Sequence, residues 1–243
     1  CGYLHPLGET DVVDLCERAI ARRVRLNLGQ LSGPTLVRIQ RDYQLRRSYL
    51  AADVFFADGA GVVVASRVLR RPIPERVTGI DLMYRLMERA DAAGHGVFLL
   101  GAEQGVLDTV HDIFARDYPG ARIVGAHHGY FQQQEEQAIA EQVRDSRADM
   151  LFVAITTPKK ENFLARWQDL MDVPLLHGVG GSFDVVAGKV ERAPELWQRL
   201  NLEWAYRIVQ EPRRMWRREG MANLLFGGLL AWAVAAELLR PEG

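Results

Sequence analysis

Hydrophobic positions along this chain alternate between two rhythms. Over residues 11–23 the apolar side chains Val12, Val13, Leu15, Cys16, Ala19 and Ile20 recur at helical spacing, which predicts an amphipathic helix. Residues 24–28 read as a short strand and residues 34–50 as a polar helix. The run Val54-Phe55-Phe56-Ala57 predicts a buried strand. A helix over 61–69 ends where Arg71-Pro72-Ile73-Pro74 blocks its continuation. Strands at 96–101, 122–125, 149–155 and 175–179 then interleave with helices at 81–93, 106–117, 134–146 and 160–170. Continuous apolar strands separated by helices predict an α/β fold, a Rossmann-like and mostly parallel sheet with helices on both faces. From Pro194 the pattern is all-helical. The expected organisation is an α/β domain over 1–193 and a helical C-terminal appendage over 194–243.

That appendage has a polarity of its own. From Tyr206 to Arg218, Arg207, Arg213, Arg214, Arg217 and Arg218 stand against one acid, Glu211, and no charged residue occurs from Met221 to Ala236. The apolar stretch is shorter than the roughly 20 residues that cross a bilayer. Arginines beside an apolar helix carrying Trp and Phe suit an interfacial segment on an anionic membrane, and a core or dimer helix is the alternative. The whole chain of 243 residues is 48% hydrophobic with a net charge of −1, so bulk charge gives no sign of a nucleic-acid partner. Two cysteines, Cys1 and Cys16, supply neither a disulfide framework nor a metal cluster and suggest a reducing compartment. No signal peptide is visible, and an opening on Cys1 reads as a fragment of a longer protein.

Chemistry concentrates in the loops after the strands, where α/β sheets bind ligands. Asp58 and Gly59 follow the strand at 54–57, and Arg76, Thr78 and Asp81 lie on the next loop. A carboxylate base and an anion-binding arginine in one cleft suit group transfer from a phosphorylated donor to a hydroxyl. Gly101-Ala102-Glu103-Gln104-Gly105 lets the backbone approach a ligand but is not the dinucleotide fingerprint. Tyr130 or Phe131 could stack on a base or sugar. In Thr157-Pro158-Lys159-Lys160-Glu161, Thr157 is expected to cap a helix, while Lys159 and Lys160 suggest an anionic ligand. Gly181-Ser182-Phe183-Asp184 could cradle a diphosphate, with Asp184 on a ribose or base.

These motifs, together with Phe98-Leu99-Leu100-Gly101, Gly178-Val179-Gly180-Gly181 and Arg192-Ala193-Pro194, resemble those of the WecG/TagA/CpsF glycosyltransferases from about Asp11 to Arg218. The resemblance implies an inverting, metal-independent hexosyltransferase. It would move a sugar from a UDP-sugar to a polyprenyl-diphosphate-linked glycan in exopolysaccharide or cell-surface polysaccharide synthesis. It implies a peripheral protein on the cytoplasmic face of the bacterial inner membrane, with no cofactor and with possible homo-oligomers. By the same resemblance Asp58 is the base and Arg76 helps hold the diphosphate. The loops at Gly101, Tyr130 and Gly181–Asp184 line the nucleotide pocket, and Arg207, Arg214 and Arg217 stabilise the departing UDP. Two departures stand out. Pro158-Lys159-Lys160-Glu161 replaces the usual Pro-Lys-Gln-Glu, and Asn27-Leu28-Gly29-Gln30 stands where a Thr-x-Asn-like element is usual. Both Asn27 and Gln30 are expected near a sugar, and an ammonium at Lys160 leaves the donor open among N-acetylmannosamine, glucose and a uronic acid. A nucleotide-sugar oxidoreductase and a non-catalytic membrane-associated subunit are the alternatives.

Overall fold

The computed structural model of the chain describes residues 4–194, Trp197, Tyr206 and residues 220–238. Its centre is one parallel sheet of β1 (Leu26–Leu31), β2 (Val54–Ala57), β3 (Gly96–Gly101), β4 (Arg122–His127), β5 (Met150–Ala154) and β6 (Leu175–Gly178). The strands lie in the order β2-β1-β6-β5-β3-β4. Every pairing is parallel, as the continuous apolar strands predict.

Side-chain alternation along the strands divides the core in two. Val97, Leu99, Met150, Phe152 and Leu175 point to one face and pack with α1 (Glu9–Arg22), α5 (Gly79–Ala93) and α6 (Gln104–Asp117). Phe98, Leu100, Leu151, Val153 and Leu176 point to the other and pack with α7 (Glu136–Asp145) and α8 (Lys159–Met171). Each such side chain removed from water contributes about 1.5–3 kcal/mol, so both layers hold the sheet from either side. Helix α2 (Gly33–Arg41) packs on α3 (Tyr43–Tyr49), which packs on α8. Helix α4 (Ala60–Val68) covers the β2 edge through Val62 and Val63. A five-residue helix, α9 (Ser182–Val186), follows β6. Last, α10 (Met221–Leu238) lies against α2. No helix among the described residues is long and apolar enough to cross a membrane.

Two expected elements differ. The first strand runs over Leu26–Leu31 rather than 24–28. In its second half Gly29 and Gln30 interrupt the apolar run before Leu31, yet Gly29-Gln30-Leu31 pairs with Phe55, Phe56 and Ala57 of β2. A Cβ on Gly29 would come within 2.4 Å of the Phe55 ring, so only glycine lets that ring lie across the strand. The expected helix over 34–50 is two helices. Asp42 ends α2 and caps α3, its carboxylate accepting from the Leu45 amide at 2.9 Å.

Candidate active site

Because every strand is parallel, all six C-terminal ends open on one edge of the sheet. The chain leaves β3 outward to β4 and leaves β5 back toward β6, so a crevice opens between β3 and β5. Gly101 sits there with φ +135°, and a Cβ on it would lie 2.3 Å from the Ala154 carbonyl oxygen. The Ala102 amide donates to that oxygen at 3.0 Å, and the Gly129 amide donates to the Ala102 carbonyl at 2.8 Å. Lys159 Nζ donates to the carbonyls of Gly129 (3.0 Å) and Phe131 (2.6 Å) and stands 3.6 Å over the Phe131 ring. Desolvation lowers the Lys159 pKa from its ordinary value, against the opposing charges of Glu136 and Glu135. Lys159 therefore holds the loop that presents Tyr130, which is exposed. Lys189 reaches Glu103 at 2.8 Å and Asp184 at 3.9 Å. The hydrogen bond from Lys189 keeps the Glu103 carboxyl below the usual carboxylate range. Gly101, Ala102, Glu103, Tyr130, Lys159 and Asp184 thus surround one crevice. Gly181 is exposed beside it, but Phe183 is fully buried in the core and Ser182 Oγ donates to the Val179 carbonyl at 2.6 Å.

Between that crevice and the β2 end lie β1 and β6. Gln30 Nε2 donates to the Gly178 carbonyl at 2.6 Å and lies 3.4 Å from His177 Nδ1. His177 Nε2 is 3.0 Å from the Gly79 carbonyl oxygen. Assigned from these partners, Nε2 carries the proton and Nδ1 accepts. Burial pushes the His177 pKa down to about 4, so the ring is neutral. Lys160 lays its stem over Gly178, and its Nζ sits 3.3 Å from Glu161 Oε1, the two side chains 12% and 7% exposed. Thr157 Oγ1 donates to that same oxygen at 3.0 Å. So Thr157 serves the Glu161 side chain rather than capping α8, whose N-cap is Pro158. The ammonium expected to meet an anionic ligand is already matched by a neighbouring carboxylate.

At the β2 end, the Asp58 amide donates to the Leu31 carbonyl (3.1 Å) and the Val77 amide to the Ala57 carbonyl (2.9 Å). This bond runs the segment carrying Arg76 alongside the end of β2, next to Asp58 and Gly59. Thr78 caps α5 by accepting from the Asp81 amide at 3.1 Å, and its hydroxyl donates to the Asp81 carboxylate. Asp81 also accepts from Arg192. Tyr49 is buried and donates to the Gln30 carbonyl at 3.2 Å. Burial, then the charge of Glu161 and that of Asp58, raise its pKa, so both carboxylates lie within electrostatic reach of one phenol. Arg76 also lines an open pocket of about 360 Å³ with Ala60, Val63, Val64, Arg67, Pro74 and Glu75.

Other expected positions fall elsewhere. Asn27 lies near the N-terminal end of β1, where its side-chain Nδ2 donates to Gln168 Oε1 at 2.9 Å and ties α8 to the sheet. Arg207, Arg214 and Arg217 lie outside the described residues. Among the described residues no group of His, Cys, Asp and Glu is arranged to hold a metal. Tyr49, His177 and Glu161 were not expected in the site. One signal was available: His177 is the single polar side chain in an otherwise apolar strand.

A sequence profile of the Glycosyl transferase WecG/TagA/CpsF family matches residues 3–240. The chain belongs to this family. Among its WecG/TagA/CpsF relatives is the N-acetylglucosaminyldiphosphoundecaprenol N-acetyl-beta-D-mannosaminyltransferase of Bacillus spizizenii, 39% identical over 168 residues. The match covers 69% of this chain and 64% of the relative, so the chain spans less than two thirds of that protein's length.

Proposed function

We propose that the chain is an inverting, UDP-sugar-dependent hexosyltransferase that glycosylates a polyprenyl-diphosphate-linked acceptor. The observation that carries the reading is the carboxylate of Asp58 at the end of β2, on a segment bonded beside Arg76, in a chain of this family. From β2 to β3 the sheet edge spans four strand spacings, roughly 19 Å. A nucleotide sugar laid along it would put its base in the β3/β5 crevice near Tyr130 and its sugar near Gln30 and Lys160. The acceptor would then enter from the β2 side. Asp58 would take the proton of the acceptor hydroxyl as that oxygen forms its bond to the anomeric carbon. The bond from that carbon to the UDP oxygen breaks, and the electron pair leaves with UDP. Attack opposite the leaving group inverts the configuration. Arg207, Arg214 and Arg217 would stabilise the charge that develops on the diphosphate of the departing UDP, while Arg76, at the β2 end, would face the acceptor.

The donor follows from the pairing of Lys160. A uronic acid would meet no unbalanced cation there, because Glu161 sits 3.3 Å from the ammonium. A neutral sugar fits better, with N-acetylmannosamine, named for the Bacillus relative, ahead of glucose. The chemistry needs no metal, and the place of action is the cytoplasmic face of the bacterial inner membrane, with the protein peripheral and held by its apolar C-terminal helix. The test is a transfer assay with UDP-N-acetylmannosamine, UDP-glucose and UDP-glucuronate and a lipid-linked N-acetylglucosamine acceptor in vesicles. Transfer from a neutral donor is expected. Transfer from UDP-glucuronate alone would overturn the donor assignment, and no transfer from any donor would overturn the enzyme reading.

A further inference from the structure

Helix α4 has an outer face that the fold does not explain. Its inner residues, Val62, Val63, Ala65 and Ser66, are buried, while Val64, Arg67 and Val68 are exposed. Water-facing positions of a helix are normally polar, yet Val64 and Val68, one turn apart, are about half exposed, 54% and 49%. The wall opposite is held in place. Ser66 Oγ accepts from the Ile73 amide at 3.0 Å, and the Arg71 amide donates to the Ser66 carbonyl at 2.8 Å. The groove between α4 and residues 74–76 is therefore preformed, and it is the pocket of about 360 Å³ described above.

The lining of that groove is amphiphilic. Val63, Val64 and Pro74 supply apolar surface, and Arg67 and Arg76 supply two guanidiniums. Among the described residues no carboxylate lies within ion-pair distance of Arg67. The one acid in the lining, Glu75, accepts from the Glu9 amide at 2.8 Å, so its charge is used at the N-terminus of α1. One end of the groove, at Arg76, adjoins Asp58. The other follows the exposed valines along α4. Its neighbour is α10, whose Phe226 packs over Gly61 and Gly33 and which exposes Met221, Leu224 and Trp232. Arg67, in the last turn of α4 between Val64 and Val68, and Arg76 on the facing segment set two cations among exposed apolar residues, a lining that matches one class of ligand, an anionic head on a hydrocarbon tail.

We propose that this groove binds the polyprenyl diphosphate of the acceptor, with the diphosphate on Arg67 and Arg76 and the first isoprene units along Val64 and Val68. The assignment rests on the transferase reading and adds to it the place of the acceptor and a binding residue, Arg67. It also explains how a hydroxyl of a lipid-anchored glycan comes to Asp58 while the tail stays in the bilayer against α10.

The test uses the full chain and farnesyl diphosphate as probe, measured by calorimetry, beside inorganic pyrophosphate and UDP. Farnesyl diphosphate should bind at least tenfold tighter than pyrophosphate. Val64→Asp and Arg67→Glu lie on an exposed face and should leave the melting temperature and UDP binding unchanged. Each should weaken farnesyl diphosphate binding tenfold or more and raise the KM for the lipid acceptor without raising that for the donor. Arg67→Lys should recover most of the binding. Pyrophosphate binding as tightly as farnesyl diphosphate would overturn the lipid site, as would unchanged binding in both variants. Loss of farnesyl diphosphate binding in the variants of a chain that transfers no sugar would sink the transferase reading and leave the lipid site standing. Normal acceptor KM in both variants of an active enzyme would do the reverse.

Discussion

At the scale of single residues, the position of Asp58 was legible and its company was not. An apolar strand that runs into an acid and a glycine has to deliver that acid to the sheet edge, whatever the rest of the chain does. That the Tyr49 phenol comes within electrostatic reach of both Asp58 and Glu161 depends on α3 and α8 packing together, which no local pattern encodes. Asp58→Asn keeps the shape and removes the base. Its kcat should fall about 10²–10⁴-fold, while UDP binding and the unfolding midpoint stay as in the parent chain. An active Asp58→Asn enzyme would assign the base elsewhere. His177 gives a second expectation. Its ring is neutral in the fold, with a pKa near 4 against 6.5 ordinarily. Between these values the unfolded chain takes up a proton that the folded chain refuses, so stability falls as pH drops from 6.5 to 4 and the loss stops below 4. Its share of that loss is about 3 kcal/mol. Denaturant unfolding at pH 7 and pH 4 measures it, and His177→Gln should flatten the pH dependence by that amount.

Elements with a continuous apolar run or helical spacing were legible nearly to their ends, because burial on both faces leaves no freedom of composition. The second half of β1 was not, since Gly29 and Gln30 serve an aromatic neighbour and a carbonyl rather than the core. Nor was α9, five residues long and directed by a loop of glycines. Thr78 and Thr157 show the limit of motif reading. Both hydroxyls look available to a ligand, and both are taken by carboxylates one turn away. The tie between β3, β4 and β5 is the element-scale feature on which the crevice depends. Gly101→Ala would put a methyl group 2.3 Å from the Ala154 oxygen at a φ that L-residues rarely adopt. The change should destabilise the protein by about 3 kcal/mol or more, measured by denaturant unfolding. An unchanged midpoint would show that the strand ends can separate freely.

For the whole molecule, strand direction was legible but strand order was not. The crossovers from β2 to β3 and from β5 to β6 put β6 and β5 at the centre, and this order alone separates the Asp58 end of the edge from the Tyr130 crevice. The same scale bears on how the proposed transferase would meet a membrane. A net charge of −1 provides no general attraction to an anionic surface, so attachment would be local, through the apolar helix or the arginines before it. Helix α10 carries two aromatic residues in different settings. Phe226 faces inward over Gly33 and Gly61, whereas Trp232 is 72% exposed. Trp232→Ser should therefore leave the melting temperature unchanged and lower partitioning into vesicles about tenfold, the equivalent of the lower end of one buried apolar side chain. Phe226→Ala should lower the melting temperature by unseating α10 from α2. Because apolar burial is not screened by salt, the tryptophan effect should persist at high ionic strength. A loss of vesicle binding that vanished with added salt would instead make the C-terminal arginines the anchor and α10 a packing element.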